Sequence, residues 1–205
     1  MIYLRIMVRR TLFFLFFFIA IDSFGQNVPL EPGKLVANRV SMSFEKITGK
    51  KSLRIVKDSS VKDVDEPTFV MIKDLELNEG SIEVKVLSRL LPNAPETARG
   101  FIGLAFRIND SCNKYECIYI RPTNGRSNDQ VRRNHSIQYY SYPDYKFDRL
   151  RKETPERYES YADMQLNQWI TMRIDIKGSE AKLYLGKKKQ PVLIVNDLKH
   201  GSSLS

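Results

Sequence analysis

Short runs in which apolar and polar residues alternate are the feature that most limits what this chain can fold into. The clearest runs are residues 81–86, 101–108, 115–121, 169–176 and 181–185. Alternation with a period of two places the apolar side chains on one face of an extended strand. Turn-forming residues such as Asn and Gly separate these runs, and shorter β-rich runs lie between them. The pattern predicts an all-β fold, an antiparallel sandwich or barrel.

The beginning of the chain predicts a secretory signal peptide over residues 1–25. Three arginines among the first ten residues precede the consecutive apolar residues 12–21. Ser23 and Gly25 then supply the small side chains of a cleavage site. A basic segment, a short apolar segment and a small-x-small site are together typical of an export signal. A buried helix or a short membrane anchor is the alternative interpretation.

Cleavage after residue 25 leaves residues 26–205, which is the size of one domain. We expect this domain in the periplasm or outside the cell, without membrane insertion. The first cysteine is Cys112, so no cysteine near the cleavage site can take a lipid, and a lipoprotein is not expected. The chain stops soon after the apolar residues 191–195 without a closing strand pattern. We therefore expect a fragment that lacks its last strand or strands.

The charge balance is basic, with 33 Lys and Arg against 24 Asp and Glu and a formal net charge of +9. A basic chain raises the question of nucleic-acid binding. Export argues against that partner, because a secreted protein rarely meets nucleic acid. Lys187–Lys189 instead fits a solvated turn between two apolar runs, where charge keeps a strand edge from pairing.

One long segment, Asn124–Gln168, is polar and aromatic and reads only partly as strand. Eight of the ten tyrosines fall between residues 115 and 161, so the segment does not resemble a solvated linker. By the alternation, Arg107, Tyr119 and Arg121 point away from the apolar faces of their strands, as does Trp169. If these strands are neighbours, one sheet face carries Arg, Tyr and Trp. The alternative is that the long segment folds over this sheet and buries the same residues as a polar core.

A sheet face with aromatic and hydrogen-bonding side chains suits a sugar. The C–H faces of a pyranose pack on aromatic rings, and its hydroxyls need directional partners. Arg contributes a rigid fork of donors for hydroxyl or carboxylate oxygens. The residues that we expect to bind carbohydrate are Arg107, Tyr119, Arg121, Asn124, Arg133, Gln138, Tyr139, Tyr158 and Trp169.

Two residues are candidates for acid–base chemistry. His135 is one of two histidines, and imidazole is the usual acid or base near neutral pH. Glu159 is the carboxylate best placed within the aromatic segment for glycoside hydrolysis, which uses two carboxylates. The alternatives are a structural histidine and a loop salt bridge to an arginine. The sequence has no zinc-ligand spacing, nucleophile elbow or phosphate-binding Gly loop.

Two further questions stay open at this stage. Cys112 and Cys117 flank a turn, and export would permit a disulfide, but strand parity puts their side chains on opposite faces. No cofactor is expected. Calcium binding through Asp110 or Asp129 is an alternative for which the sequence offers no EF-hand-like loop.

Six motifs of this sequence together resemble those of a known group of proteins. They are Gly103–Arg107, Tyr115–Asn124, Arg132–Tyr139, Tyr158–Tyr161, Trp169 and Pro191–Lys199. They resemble secreted bacterial concanavalin A-like domains, which are related to laminin-G-like modules and to the 3-keto-disaccharide hydrolase family. The resemblance covers roughly residues 40–200. It implies a two-sheet jelly roll with a concave sheet that faces carbohydrate, and leaves binding or hydrolysis open.

Three functions follow as hypotheses. The first is a secreted carbohydrate-binding domain that uses its Arg- and Tyr-rich sheet face. The second is a glycoside hydrolase acting on oligosaccharides or 3-keto-disaccharides. The third is a structural or adhesion module in which the same residues form only a polar core.

Overall fold

The structure is a computed structural model, and it describes residue 25 and residues 27–201. A short 3₁₀ turn at Pro32–Lys34 precedes the first strand. Two short helices, α1 (Gln130–Asn134) and α2 (Phe147–Glu153), lie in the second half of the chain. The strands are β1 (Leu35–Asn38), β2 (Val40–Ile47), β3 (Lys50–Lys57), β4 (Phe69–Ile72), β5 (Gly80–Leu87), β6 (Ile102–Phe106), β7 (Tyr115–Ile120), β8 (Ile137–Tyr142), β9 (Glu159–Ser160), β10 (Trp169–Lys177), β11 (Glu180–Leu185) and β12 (Leu193–Val195).

Two four-stranded antiparallel sheets form the body of the protein. Sheet I has the strand order β12-β11-β10-β5, and sheet II has the order β6-β7-β8-β9. Two smaller antiparallel pairs, β1 with β4 and β2 with β3, come from the N-terminal part. The predicted all-β antiparallel sandwich is confirmed at this level.

Sheet I follows the sequence alternation directly. Met172, Ile174 and Ile176 of β10 are buried, and the residues between them are partly exposed. The same alternation holds in β11, where Leu183 is fully buried. Each strand therefore has one face in the core and one towards solvent, as the period of two predicts.

Sheet II is different because its central strands are buried on both faces. All six residues of β7 are buried, and so are five of the six residues of β8. One face of β7 carries Glu116, Ile118 and Ile120, which we call the Ile118 face. The other carries Tyr115, Cys117 and Tyr119, and we call it the Tyr119 face. Tyr supplies the large, partly polar side chains that allow this second face to be covered.

The N-terminal part and α2 cover the Tyr119 face. The ring of Phe69 on β4 meets Tyr115 edge to face with centroids 5.2 Å apart. The ring of Phe147, the first residue of α2, lies under the Arg121 guanidinium at 5.6 Å. Part of the alternative reading of the long segment therefore holds, since α2 packs on the sheet as part of a polar core.

The structure corrects one expectation about strand neighbours. Trp169 begins β10 in sheet I, where it is paired with Leu87, whereas Tyr119 is in sheet II. Trp169 therefore does not share a sheet face with Tyr119 and Arg121. The alternation alone assigns a face within each strand but contains no information about which strands are adjacent.

The elements that the sequence analysis missed are β1, β2, β9 and the two helices. The helices are five and seven residues long, too short to show a periodic apolar stripe. Helix α1 is instead defined by its cap, because the Asp129 carboxylate accepts hydrogen bonds from the backbone N–H groups of Val131 and Arg132.

The predicted signal peptide lies outside the described residues, apart from Gly25. Within residues 27–201, no helix is long and apolar enough to cross a membrane.

Candidate functional site

A row of four aligned residues crosses sheet II and forms the base of the site. Gly103 of β6 pairs with Tyr119 of β7, Tyr119 with Gln138 of β8, and Gln138 with Glu159 of β9. Residues paired in this way point to the same side of a sheet. Tyr119, Gln138 and Glu159, far apart in the sequence, therefore share the Tyr119 face.

Gly103 sets how closely β6 can approach this row. A Cβ at residue 103 would lie 2.4 Å from the Ile118 carbonyl oxygen and 2.6 Å from the Cα and Cβ of Tyr119. Contacts this short are not tolerated, so only glycine fits here. Phe101, which immediately precedes β6, meets the Tyr119 ring edge to face with ring centroids 5.8 Å apart.

Arg121 follows the row and joins its members. One terminal nitrogen donates to the Tyr119 hydroxyl at 2.8 Å and to the Gln138 side-chain oxygen at 3.3 Å. The other donates to the His135 carbonyl oxygen at 2.9 Å and lies 3.4 Å from Glu159 Oε1. With only 5 % of its surface exposed, Arg121 is a buried cation whose charge is compensated by protein groups.

Glu159 supplies the negative charge that the cationic groups of this site share. Its Oε2 accepts a hydrogen bond from Nε of Arg151 at 3.0 Å, and a terminal nitrogen of Arg151 donates to Oε1. Nδ1 of His135 lies 2.9 Å from Glu159 Oε1. We call this set the Arg121 cluster; its members are Tyr119, Arg121, His135, Gln138, Arg151 and Glu159.

Burial of His135 lowers the pKa of its imidazole below the usual 6.5, and the charges of Arg151 and Arg121 act in the same direction. The Glu159 carboxylate works against this shift. At neutral pH the ring is therefore in its uncharged form, in which one nitrogen can accept a proton.

A second carboxyl group, that of Asp65, comes to this site from the N-terminal part. Its Oδ2 accepts the backbone N–H of Phe147 at 2.9 Å, which satisfies the first donor of α2. Burial raises the pKa of Asp65 above 3.8, and the Phe147 N–H, the Arg121 charge and the Tyr119 hydroxyl oppose the rise only in part. Asp65 also has a left-handed backbone, with φ of 50°, which Asp tolerates better than most residues.

An open cleft of about 2990 Å³ runs past this group. Its walls include Asp65, Tyr119, Arg121, His135 and Arg151 but not Glu159. Glu159 therefore acts behind the surface, where it positions His135 and the two arginines. Further lining groups at this end of the cleft are Arg99, Phe101, Asn124, Asp129, Arg132 and Phe147.

Of the residues predicted to bind carbohydrate, the structure brings together Tyr119, Arg121, Asn124 and Gln138. The Asn124 side chain joins the cluster by donating to the His135 carbonyl oxygen at 3.0 Å. Both predicted acid–base residues, His135 and Glu159, are also here.

The other predicted residues lie elsewhere. Tyr139 and Tyr158 pack together with centroids 5.4 Å apart, and the Tyr139 hydroxyl donates to Glu116 at 2.6 Å on the Ile118 face. Arg107 binds the backbone oxygens of Asn78, Gly178 and Gly201, so it ties together turns at the end of the sandwich.

Arg133 and Trp169 are also removed from the cluster. Arg133 donates to the Tyr161 hydroxyl at 3.0 Å, and its charge lies over that exposed ring. Trp169 lines another part of the same cleft from sheet I, where Lys50 approaches its ring at 6.0 Å.

The sequence analysis missed Asp65, Phe101 and Arg151. Asp65 lies in a turn that the sequence pattern does not reveal, and no sequence pattern connects it with residues some 50 to 90 positions later. Arg151 lies on the unrecognised helix α2. The composition of the segment, rich in Tyr and Arg, was the one signal that pointed to this region.

Among residues 27–201, the cysteines form no disulfide and the acidic residues form no metal site. Cys112 and Cys117 are both free, and Cys112 Sγ lies 4.0 Å from Met71 Sδ. Burial raises the pKa of the Cys117 thiol well above its usual value. Within residues 27–201, no group of three or more His, Cys, Asp or Glu side chains is arranged to hold a metal ion. Asp110 is exposed, and Asp129 caps α1.

Comparisons with protein-family models, with curated proteins and with solved structures found no match to this chain.

Proposed function

We propose that this protein is an exported carbohydrate-binding domain and that the cleft beside the Arg121 cluster holds the sugar. The observation that carries the proposal is the combination, in one cleft, of an exposed aromatic ring with fixed hydrogen-bonding groups. Phe101 keeps 57 % of its surface exposed, and Arg121 lies beside the Tyr119 ring that Phe101 contacts. A pyranose needs such a flat apolar surface next to directional donors and acceptors.

The rigidity of the cluster supports the binding proposal. Arg121 is fixed by four side-chain and backbone partners, so it holds the Tyr119 ring and the neighbouring lining groups in place and little ordering is needed when a ligand arrives. The open cleft then gives a ligand access to the cluster members that line it, which are Tyr119, Arg121, His135 and Arg151.

The finer fold assignment belongs to the same proposal. Two four-stranded antiparallel sheets are consistent with a concanavalin A-like jelly roll, and the sequence motifs resemble that class. The signal peptide predicted over residues 1–25 is the basis for placing the protein in the periplasm or outside the cell.

The binding test uses Phe101, because its ring is exposed and its substitution removes no hydrogen bond of the Arg121 cluster. We expect the purified protein to bind one or more members of a broad glycan array, and Phe101→Ala to weaken that binding by about tenfold or more, as for aromatic residues central to an interface. Tyr161→Ala is the matched control, since Tyr161 is also an exposed aromatic residue but does not line the cleft.

Affinity would be measured by isothermal titration calorimetry and integrity by the melting temperature. Equal losses for Phe101→Ala and Tyr161→Ala, or no bound glycan for the unmodified protein, would contradict the proposal. The second outcome would favour a structural module, in which Arg121→Ala lowers stability and affects no ligand.

A second candidate function is glycoside hydrolysis, which the presence of Asp65 and His135 in the lining of one cleft favours. Burial raises the pKa of Asp65, which favours its protonated acid form, and lowers the pKa of His135, which favours its uncharged base form. Asp65 would protonate the glycosidic oxygen while its C–O bond breaks, and His135 would take a proton from the attacking water. Glu159 would serve as the positioning residue for His135.

Product release from oligosaccharides, including 3-keto-disaccharides, separates hydrolysis from binding. We expect Asp65→Asn and His135→Gln each to remove turnover while leaving glycan affinity within a few-fold of the original. Binding without any new reducing end or ketosugar would exclude this candidate and leave the binding domain. Full turnover in both variants would assign the chemistry to other residues.

A further inference from the structure

At the end of the cleft next to the Arg121 cluster, the arginine side chains outnumber the carboxylates of the described residues that pair with them. Four guanidinium groups line it, those of Arg99, Arg121, Arg132 and Arg151. Arg121 and Arg151 share the carboxylate of Glu159. Arg99 and Arg132 have no carboxylate within 4.0 Å among the described residues.

The partners of these two arginines are all neutral. Arg132 donates from Nε to the Asn124 side-chain oxygen at 2.9 Å and from a terminal nitrogen to the Thr123 hydroxyl at 3.2 Å. Arg99 donates from one terminal nitrogen to the backbone oxygens of Glu96 and Ala98. The remaining donors of both forks are available to a ligand.

Arg99 also lies close enough to other arginines for their positive charges to disfavour its protonated form. Partial burial and the charges of Arg132 and Arg121 lower the pKa of Arg99 below its usual value. Like charges held near one another in a partly buried site cost free energy unless an anion lies between or beside them.

The acidic groups at this end do not supply that anion. Asp129 Oδ1 is occupied by the backbone N–H groups of Val131 and Arg132, where it caps α1. Asp65 accepts the Phe147 N–H and faces Arg121. Glu159 lies behind the lining and is shared by Arg121, Arg151 and His135.

The geometry points to an anionic saccharide as the ligand, with its carboxylate or sulfate group bound by Arg99 and Arg132 and its ring on Phe101. This inference rests on the proposed carbohydrate binding and names the substrate class. Phe101 lies two residues after Arg99 in the same loop, so the ring and the guanidinium groups border one stretch of the cleft. The planar arginine fork matches a carboxylate or sulfate with paired N–H donors.

The test compares charged saccharides with neutral forms of the same backbone. The first pair is tetragalacturonic acid and its fully methyl-esterified form, and the second is a sulfated galactan tetrasaccharide and its desulfated form. Titration calorimetry at pH 7 would be run at low and high salt. We expect one charged member to bind about tenfold or more tightly than its neutral partner, because charge-assisted hydrogen bonds distinguish them.

The variants Arg99→Gln and Arg132→Gln test the assigned residues. Each removes one positive charge at the cleft and should weaken the charged ligand by about tenfold or more, while the neutral partner keeps its affinity within about twofold. Arg149→Gln is the matched control, because Arg149 pairs with Glu153 outside the cleft lining. Melting temperatures would confirm that all three variants are folded.

The outcomes separate this inference from the function on which it rests. A preference for the uronate or for the sulfated chain that both cleft variants abolish supports the inference and identifies the charged group. Equal affinity for the charged and neutral members, unchanged in Arg99→Gln and Arg132→Gln, overturns it and leaves carbohydrate binding intact. Absence of binding to all four saccharides, together with an empty glycan array, overturns both.

Discussion

At the residue scale, Glu159 decides the electrostatics of the Arg121 cluster. Its side chain is only 3 % exposed and faces Arg121, Arg151 and His135. Removal of its charge leaves two guanidinium groups without a compensating anion, and breaking a buried pair in this way is costly.

We expect Glu159→Gln to lower the free energy of unfolding by about 3–5 kcal/mol. Glu153→Gln provides the control, because Glu153 is also paired with an arginine of α2 but at an exposed site, where such a pair contributes about 0.3–0.5 kcal/mol. Urea unfolding followed by circular dichroism measures both. Comparable losses for the two variants would contradict a buried, charge-centred role for Glu159.

The lowered pKa of His135 predicts how the free energy of unfolding changes with pH. Because its folded-state pKa is lowered, the unfolded chain takes up a proton near pH 6.5 while the native protein does not. The stability that neutral His135 provides is therefore present above this pH and lost as pH falls through 6.5 towards the folded-state pKa.

In His135→Gln, we expect the unfolding free energy to fall less than in the unmodified protein between pH 7 and pH 5. One proton limits this difference in slope to about 1.4 kcal/mol per pH unit. Urea titrations at intervals of half a pH unit would measure it. A difference between the two proteins that does not vary with pH would show that His135 has no such shift.

At the scale of elements, Gly103 controls the contact between β6 and β7. The space that its Cβ would occupy is filled by the backbone of Ile118 and Tyr119, which cannot move without parting the two strands. The position of Tyr119, and through it the row that ends at Glu159, therefore depends on a residue without a side chain.

We expect Gly103→Ala to lower stability by about 1–3 kcal/mol, as overpacking does, despite the better strand propensity of Ala. Gly33→Ala is the control, because a Cβ there meets nothing within 4 Å. Thermal unfolding would report stability, and glycan affinity would report the displacement of Tyr119. A neutral effect of Gly103→Ala would mean that β6 moves freely against β7.

The strands themselves were largely predictable from alternation, whereas α1, α2 and β9 were not. A strand buried on one face, such as β10, shows its period in the sequence because water lies on the other side. Helix α2 is held by Asp65 and by contacts with Arg121 and Glu159, which are tertiary. Its seven residues contain too little periodicity to be distinguished from a loop.

At the scale of the whole molecule, burial is uneven. The central strands β7 and β8 are buried almost throughout, but the hairpin of β2 and β3 contains no fully buried residue. Segments with little buried apolar surface open at a lower free energy than the core.

We expect amide hydrogen exchange of β2 and β3 to be faster than that of β7, β8 and β10 by at least about tenfold, a difference of 1.4 kcal/mol or more in opening free energy. Mass spectrometry of peptides from each strand would measure the rates. Peptides from β7 and β8 serve as the internal reference for global unfolding. Uniform exchange would show that the hairpin opens only with the sandwich.

The sequence by itself determined the all-β class and most strand positions, because alternation is a local property that every half-buried strand must have. It also indicated the region of the site, through the concentration of Tyr and Arg between residues 115 and 161. Only the tertiary structure decided which strands are neighbours and in which register they pair. It thereby placed Trp169 in the other sheet and Tyr139, with Tyr158 packed on it, on the opposite face from Tyr119. It likewise brought Asp65 to Arg121 and, among the described residues, left Arg99 and Arg132 without a carboxylate within 4.0 Å, because charge compensation depends on distances between groups that the order of residues does not specify.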